Sequence, residues 1–309
     1  MTRCVILGGN GFIGSHLAEG LVKARYDVTI FDNFKRGTKN LDAIIDKIEI
    51  IKGDFWNEDD ICDALKDIDF LFHYISTTTP ATATKNPIYD IESNIIGSVK
   101  LFQNAVMNNV KKIIFSSSGG TIYGDTTGVP MKETDPLNPI NPYAISKLTI
   151  EKYLHYFNQI HGMDYTILRY SNPYGERQNP SGKQGVIPIF LNKIKHHEQP
   201  VIYGDGSMVR DYIYIKDAID ATLAIFEKKT NEKVFNVGSG DGTSLNDLIE
   251  IMSDISNEKI VPTYMENHGV YIHKIMLDIS KIKKETGWNP KINMQEGIER
   301  TKLWIDNNF

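Results

Sequence analysis

The sequence predicts an α/β chain: a doubly wound parallel sheet covered by helices on both faces, followed by a smaller mixed region. Three observations carry this. Short apolar runs alternate with longer segments of helical spacing through the first half of the chain. A glycine-rich turn joins the first run to the first helical segment. After about residue 172 Gly, Pro and Asn cluster, and the later elements are shorter and less regular.

The strand-like runs are 4–7, 28–31, 48–51, 70–72, 113–115 and 165–168. Between them Ile13, Leu17 and Leu21, and then Leu101, Ala105 and Val106, recur at helical spacing. A long helix is expected over 143–161. Strands that alternate with helices at this spacing build a parallel sheet. The expected division is residues 1–172 as the sheet part, with about 211–238 returning to it. Residues 173–210 and 239–309 then form a second, smaller α/β part.

Composition sets the outer limits. The chain has 309 residues, 41% hydrophobic and 24% charged, ample for a large core and unlike a disordered or disulfide-scaffold protein. Its 34 Lys and Arg against 39 Asp and Glu give a net charge of −5, which argues against nucleic-acid binding through bulk charge. Cys4 and Cys62 alone make neither a disulfide framework nor a metal knuckle. Cys4, inside an apolar run, reads as a buried free thiol and fits a reducing compartment. No apolar run approaches the roughly 20 residues of a membrane span, and the N-terminus enters a strand without a signal-peptide layout. The expectation is a cytoplasmic protein with no metal, membrane or nucleic-acid partner.

Gly8-Gly9-Asn10-Gly11-Phe12-Ile13-Gly14 follows the first strand and opens the first helix. Glycines allow a sharp turn and close approach to a pyrophosphate, and the helix N-terminus offers free N–H groups and its positive dipole end. The spacing Gly8, Gly11, Gly14 is wider than the tight dehydrogenase pattern. Asp32, followed by Asn33, ends the second strand, roughly 20 positions on. A carboxylate there accepts hydrogen bonds from the adenosine-ribose hydroxyls and repels a 2′-phosphate, so NAD is favoured over NADP. The alternative is a tight turn in an α/β fold without a nucleotide. Asp54, followed by Phe55, ends the third strand, where it either reaches the adenine or caps a helix.

Tyr143-Ala144-Ile145-Ser146-Lys147 opens the long helix over 143–161. Residues four apart share a helix face, so the phenol and the ammonium project together. A nearby cation is expected to lower a tyrosine pKa from about 10 toward neutrality, which suits a general acid/base for alcohol–ketone chemistry. By itself such a pair is usually an exposed helix pair; coupled to the glycine turn, it points to nicotinamide chemistry.

Further motifs join these two: Ser116-Ser117-Ser118 with Ile122-Tyr123-Gly124, Asn141-Pro142-Tyr143, Arg169-Tyr170-Ser171-Asn172-Pro173-Tyr174-Gly175, Tyr203-Gly204-Asp205-Gly206, Arg210-Asp211-Tyr212-Ile213, Asn236-Val237-Gly238 and Gly287-Trp288-Asn289-Pro290. Taken together they resemble the extended short-chain dehydrogenases/reductases, within the NAD-dependent sugar-nucleotide epimerase/dehydratase family, across nearly the whole chain. The resemblance implies a Rossmann-type sheet with a smaller substrate-binding domain. It implies 4-epimerisation of a UDP-sugar, glucose/galactose or their N-acetylated forms, through a 4-keto intermediate. Tyr143 matches the catalytic base and Lys147 its partner, which also holds the nicotinamide ribose. Gly8, Gly11, Phe12, Ile13, Gly14, Asp32, Asn33, Asp54, Phe55, Asn94 and Ser116 match cofactor positions. Thr78, in Thr77-Thr78-Thr79-Pro80, together with Asn172, Tyr203 and Arg210, matches substrate positions. Arg210 is expected to bind the diphosphate, as a guanidinium does, or else to pair with Asp211.

Two departures stand out. The catalytic hydroxyl falls between Ser118 and Thr121, and the sequence keeps both. Many relatives carry Arg near residues 266–273; this chain has Glu266-Asn267-His268-Gly269-Val270, with His268 or His273 as substitutes. Rival readings share the fold. A 4,6-dehydratase needs carboxylates where this chain has Gly119-Gly120-Thr121, and a 4-ketoreductase usually prefers NADPH, against Asp32. Asn179 stands where uronic-acid enzymes often carry Arg. The resemblance also implies a homodimer built on the helices over 88–109 and 143–161.

Overall fold

A computed structural model describes residues 2–125, 128–182, 184–266 and 272–309. Seven parallel strands form the central sheet: β1 (Arg3–Leu7), β2 (Asp27–Asp32), β3 (Glu49–Lys52), β4 (Phe70–His73), β5 (Lys112–Ser118), β6 (Asp164–Tyr170) and, much later, β11 (Val234–Val237). Their order is β11-β6-β5-β4-β1-β2-β3, so the winding reverses between β1 and β4. At such a reversal a crevice opens outside the carboxyl ends of the strands.

The crossovers are helical: α1 (Phe12–Lys23), a 3₁₀ segment (Lys39–Lys47), α2 (Glu58–Ala64), α3 (Pro80–Lys85), α4 (Pro87–Asp90), α5 (Gly97–Met107) and α6 (Pro142–His161). Helix α6 starts at Asn141, whose side chain accepts from the Ala144 N–H, with Pro142 in the first helical position, and it ends at the left-handed Gly162. The expected helix over 88–109 is instead three pieces. A π-helical turn, Ile91–Ile96, separates α4 from α5. Such turns often mark functional sites.

Residues after 170 add the short strands β7 (Asn172–Tyr174), β8 (Val201–Tyr203), β9 (Val209–Arg210), β10 (Tyr212–Tyr214), β12 (Thr243–Ser244) and β13 (Thr263–Met265). They pair as β7–β10, β8–β13 and β9–β12. Helices α7 (Val186–Lys195), α8 (Ile215–Glu227), α9 (Leu245–Ser256), α10 (Ser280–Thr286) and α11 (Met294–Asn308) complete the chain. The core lies on both faces of the large sheet. One cluster holds Cys4, Ile6, Leu17, Val28, Phe72, Leu168 and Phe235. The other holds Val5, Leu7, Leu71, Phe102, Phe115, Ile150 and Phe157. This two-faced burial is why the strands read as continuous apolar runs. Cys4 is a free thiol, and burial, with the negative charges of Asp69 and Asp27, pushes it up to about 12.

Candidate active site

The glycine turn is shaped for close approach. Gly8 has φ +81°, and a Cβ on Gly14 would stand 2.3 Å from the Gly8 carbonyl oxygen. The N-terminus of α1 carries no side-chain cap, so its first N–H groups stay available to an anion. Asp32 accepts from the Asn10 N–H at 3.2 Å and the Phe34 N–H at 3.3 Å. A cavity of about 900 Å³ opens here, lined by Gly11, Phe12, Asp32 and Asn33 and on the far side by Arg177, Asn179 and Trp304. A backbone cradle, an uncapped helix end and a carboxylate beside an open pocket fit the pyrophosphate and adenosine ribose of a dinucleotide.

A second cavity, of about 400 Å³, lies over the ends of β5 and β6. Ile13, Ser116, Ser118, Thr121, Tyr143, Asn172 and Arg210 all line it, so the structure brings these expected site residues together. Ile13 and Phe12 put the first turn of α1 between the two cavities. Thr121 Oγ1 donates to Ser118 Oγ at 2.9 Å, so the two candidate hydroxyls stand side by side. Lys147 is buried; its Nζ donates to the Ser116 carbonyl at 2.8 Å and lies 5.7 Å from the Tyr143 ring centre. Asn172 Nδ2 donates to the Asp211 carbonyl at 2.9 Å. The Asp211 carboxylate does not pair with Arg210: it is buried and accepts from Ser239, Gly240 and Leu277.

The electrostatics differ from expectation at one point. Burial pushes Tyr143 up to about 12; a hydrogen bond with Ser76 opposes this and the charge of Asp90 adds to it. The phenol therefore stands above its ordinary value rather than near neutrality. Burial acts on Lys147 as well, lowering it to about 8 against the pull of Asp90 and Glu151. Desolvation is the largest cause for both groups.

Several expected site residues lie elsewhere. Thr78 is buried behind the cavity with its hydroxyl on Asp90. Asn94 donates to Asp90 and Thr78 at 3.0 Å each and accepts from the Thr77 N–H. Asp54 accepts from the Trp56 N–H in a local turn, while the cap of α2 is Asn57. Phe55 packs on His73. Tyr203 is 59% exposed on β8 and outside the residues lining the cavity. His268 and most of the altered segment lie outside the described residues; His273 is described, and its carbonyl accepts from the Val209 N–H. Ser76, Gln178 and Asp90 escaped the sequence reading. Ser76, beside the expected threonines, is the one a local signal pointed toward.

A parallel sheet with a glycine cradle, a carboxylate at the end of β2, and a Tyr/Lys pair over the strand ends defines a nucleotide-dependent oxidoreductase-type site. The model of the NAD dependent epimerase/dehydratase family matches residues 4–238, and the chain belongs to that family. It is 37% identical over 305 residues to a putative UDP-glucose 4-epimerase of Methanocaldococcus jannaschii, covering 98% of each chain. It is 35% identical to a dTDP-4-dehydro-6-deoxyglucose reductase of Escherichia coli, over 96% of this chain and 95% of that one. Among solved structures, UDP-glucose 4-epimerase from Thermotoga maritima with UDP-glucose superposes with a TM-score of 0.93 at 36% identity, covering 99% of each chain.

Proposed function

We infer that the protein is a NAD-dependent 4-epimerase of UDP-sugars, glucose/galactose or their N-acetylated forms. One observation carries this reading over its rivals. The cavity gathers Tyr143, the Ser118–Thr121 hydroxyl pair and Arg210, and none of its described lining residues carries a carboxylate. A 4,6-dehydratase needs such an acid and base for elimination. Asp32 in the ribose pocket speaks against an NADPH-dependent reductase.

In this reading Gly8, Gly11 and Gly14 cradle the pyrophosphate, Asp32 takes the adenosine ribose, and Lys147 takes the nicotinamide ribose. NAD, when bound, supplies the hydride acceptor and donor that carry the sugar through a 4-keto form and back. The Tyr143 phenolate takes the proton from the sugar 4-hydroxyl and later returns it. Ser118 or Thr121 orients that hydroxyl; their mutual hydrogen bond lets either one present the shared proton. Arg210 holds the diphosphate by charge-assisted bonds, and Asn172 contacts the nucleotide-sugar. The substrate part, 173–210 with 239–309, is supported by Gln178, Val186, Met208 and Leu245 lining the cavity opposite Tyr143.

The test is a proton NMR time course with UDP-glucose and UDP-N-acetylglucosamine and no added cofactor. Galacto-type anomeric signals are expected, and the faster sugar identifies the preferred substrate. An unchanged spectrum with both sugars, from protein that carries NAD, overturns the reading.

The homodimer belongs to the same reading. Ile88, Tyr89, Ile91 and Ile96 on α4 and the π turn, and Ile145, Tyr153, Tyr156 and Ile160 on α6, are exposed apolar side chains. Two such helices meeting their copies form a four-helix contact. Ile145→Asp with Ile160→Asp is expected to halve the mass measured by light scattering; a monomeric parent protein sinks this. A cytoplasmic location fits the buried free Cys4 and is checked by cell fractionation. No helix among the described residues is long and apolar enough to cross a membrane.

A further inference from the structure

Asp90 ends α4 and is fully buried. Its Oδ2 accepts from Ser146 Oγ at 2.5 Å, and its Oδ1 accepts from Asn94 Nδ2 at 3.0 Å and from Thr78 Oγ1. The three donors come from three elements: the turn after β4, the π-helical segment, and α6 at the residue just before Lys147. All three are neutral. A carboxylate taken out of water is costly unless its charge is matched, and neutral donors match only part of it.

The ionisable groups that face it come from α6 and β4. From α6 come Tyr143, Lys147 and, a turn further on, Glu151, which is held by Arg169 of β6. From β4 comes His73, which burial and the Lys147 charge lower to about 3, so it stays neutral. The turn and the π segment contribute only Thr78 and Asn94 to Asp90.

We propose that Asp90 is a positioning residue of this active site: its buried carboxylate ties the 77–80 turn, the π-helical segment and α6 into one unit at the helical turn that bears Tyr143 and Lys147. The π turn fits this role. It brings Asn94 onto the same carboxylate oxygen as Thr78, where Asn94 also holds the Thr77 N–H at 3.1 Å. The inference rests on the epimerase reading for its kinetic test and on geometry alone for its second test.

The sign follows from the charge. Asp90 raises both Tyr143 and Lys147. Removing the charge lowers both. Both groups then lose their protons at lower pH, which moves both limbs of the pH–rate profile down. Asp90→Asn in the NAD-loaded enzyme is expected to shift both limbs downward by about one pH unit. Ser146→Ala, which removes a bond and keeps the charge, is expected to leave both limbs in place even where kcat drops. Asp90→Ser gives the same downward shift if the amide variant fails to accumulate as folded protein.

A readout without turnover separates this from the functional reading. The Tyr143 phenolate is followed by ultraviolet difference absorbance in NAD-loaded protein, against Tyr143→Phe as the blank. A lower midpoint in Asp90→Asn supports the proposal even if no UDP-sugar is turned over. Unmoved limbs and an unmoved midpoint, with a kcat lowered equally at every pH, make Asp90 a purely structural residue and overturn it.

Discussion

Tyr143→Phe is expected to lower epimerase turnover by at least about 10²–10⁴-fold, the range a positioned general acid/base contributes, while bound NAD stays at its normal level. Tyr170, Tyr174 and Tyr212 also line the cavity. The Tyr170 hydroxyl is engaged with Tyr74 at 2.7 Å and Thr222 at 2.5 Å, and the Tyr174 hydroxyl faces the Met294 carbonyl at 3.5 Å. Tyr143 alone among them stands beside a buried ammonium and heads a helix whose cap fixes its orientation. Phenylalanine keeps the ring and removes only the hydroxyl, so cofactor retention separates lost chemistry from lost structure. NAD is quantified in the purified variant, and turnover by NMR. Full activity in the variant, or loss of NAD together with activity, sinks the assignment.

The same residue carries a pH prediction. Burial pushes the phenol up to about 12, against the phenolate the reaction needs. A positive charge nearby favours the phenolate and lowers the pKa. The phenolate of Tyr143 is therefore expected at lower pH in NAD-loaded than in stripped protein. Equal midpoints in the two forms would mean that the cofactor does not activate the base.

The sheet and its cofactor cradle were legible because they are local. Gly8, Gly11 and Gly14 lie within seven residues, and Asp32 ends the next strand. The Tyr143–Lys147 spacing is one helical turn, and Asn141-Pro142 announces the helix start. What escaped depends on distant residues or on burial. The apolar Ile91, Ile95 and Ile96 read as one helix because a π turn keeps a nearly helical pattern while adding a residue. The threonines 77–79 read as lining the site or capping a turn, and nothing local shows that the Thr78 hydroxyl bonds Asp90, twelve positions away. Asp90 itself sits in a Tyr89-Asp90-Ile91 stretch that reads as an ordinary amphipathic surface. The direction of the Tyr143 shift required knowing that the phenol is desolvated, which no spacing reveals.

The second large effect lies beneath the site. Glu151, one turn after Lys147 on α6, and Arg169 of β6 form a buried ion pair, with Nη2 to Oε2 at 2.7 Å and Nε to Oε1 at 3.2 Å. Ser117 Oγ donates to Glu151 at 2.5 Å. Arg169 Nη1 donates to the Tyr123 hydroxyl at 3.1 Å, and Tyr123 donates to Asn236 Oδ1 at 2.6 Å. One network therefore joins α6, β5, β6, β11 and the loop after β5. Ser117 stands between Ser116, whose carbonyl holds Lys147, and Ser118, which shares the hydroxyl pair.

Removing one partner strands the other charge in a site that water does not reach. Glu151→Leu is expected to cost about 3–5 kcal/mol of unfolding free energy, and Arg169→Met a similar amount. The double variant removes both charges and is expected to lose less than the sum of the two, with a coupling of about 1–3 kcal/mol. Denaturant titration of the four proteins measures this cycle. Additive losses, or single losses below about 1 kcal/mol, would mean that solvent reaches the pair. The Ser116–Ser118 strand end would then be held by the sheet ladder alone. A strong coupling makes the ion pair the link through which the sheet fixes the height of Lys147 and of the hydroxyl pair over the cavity. In that case the double variant recovers stability without recovering turnover, because Ser117 has lost its acceptor beneath the reacting groups.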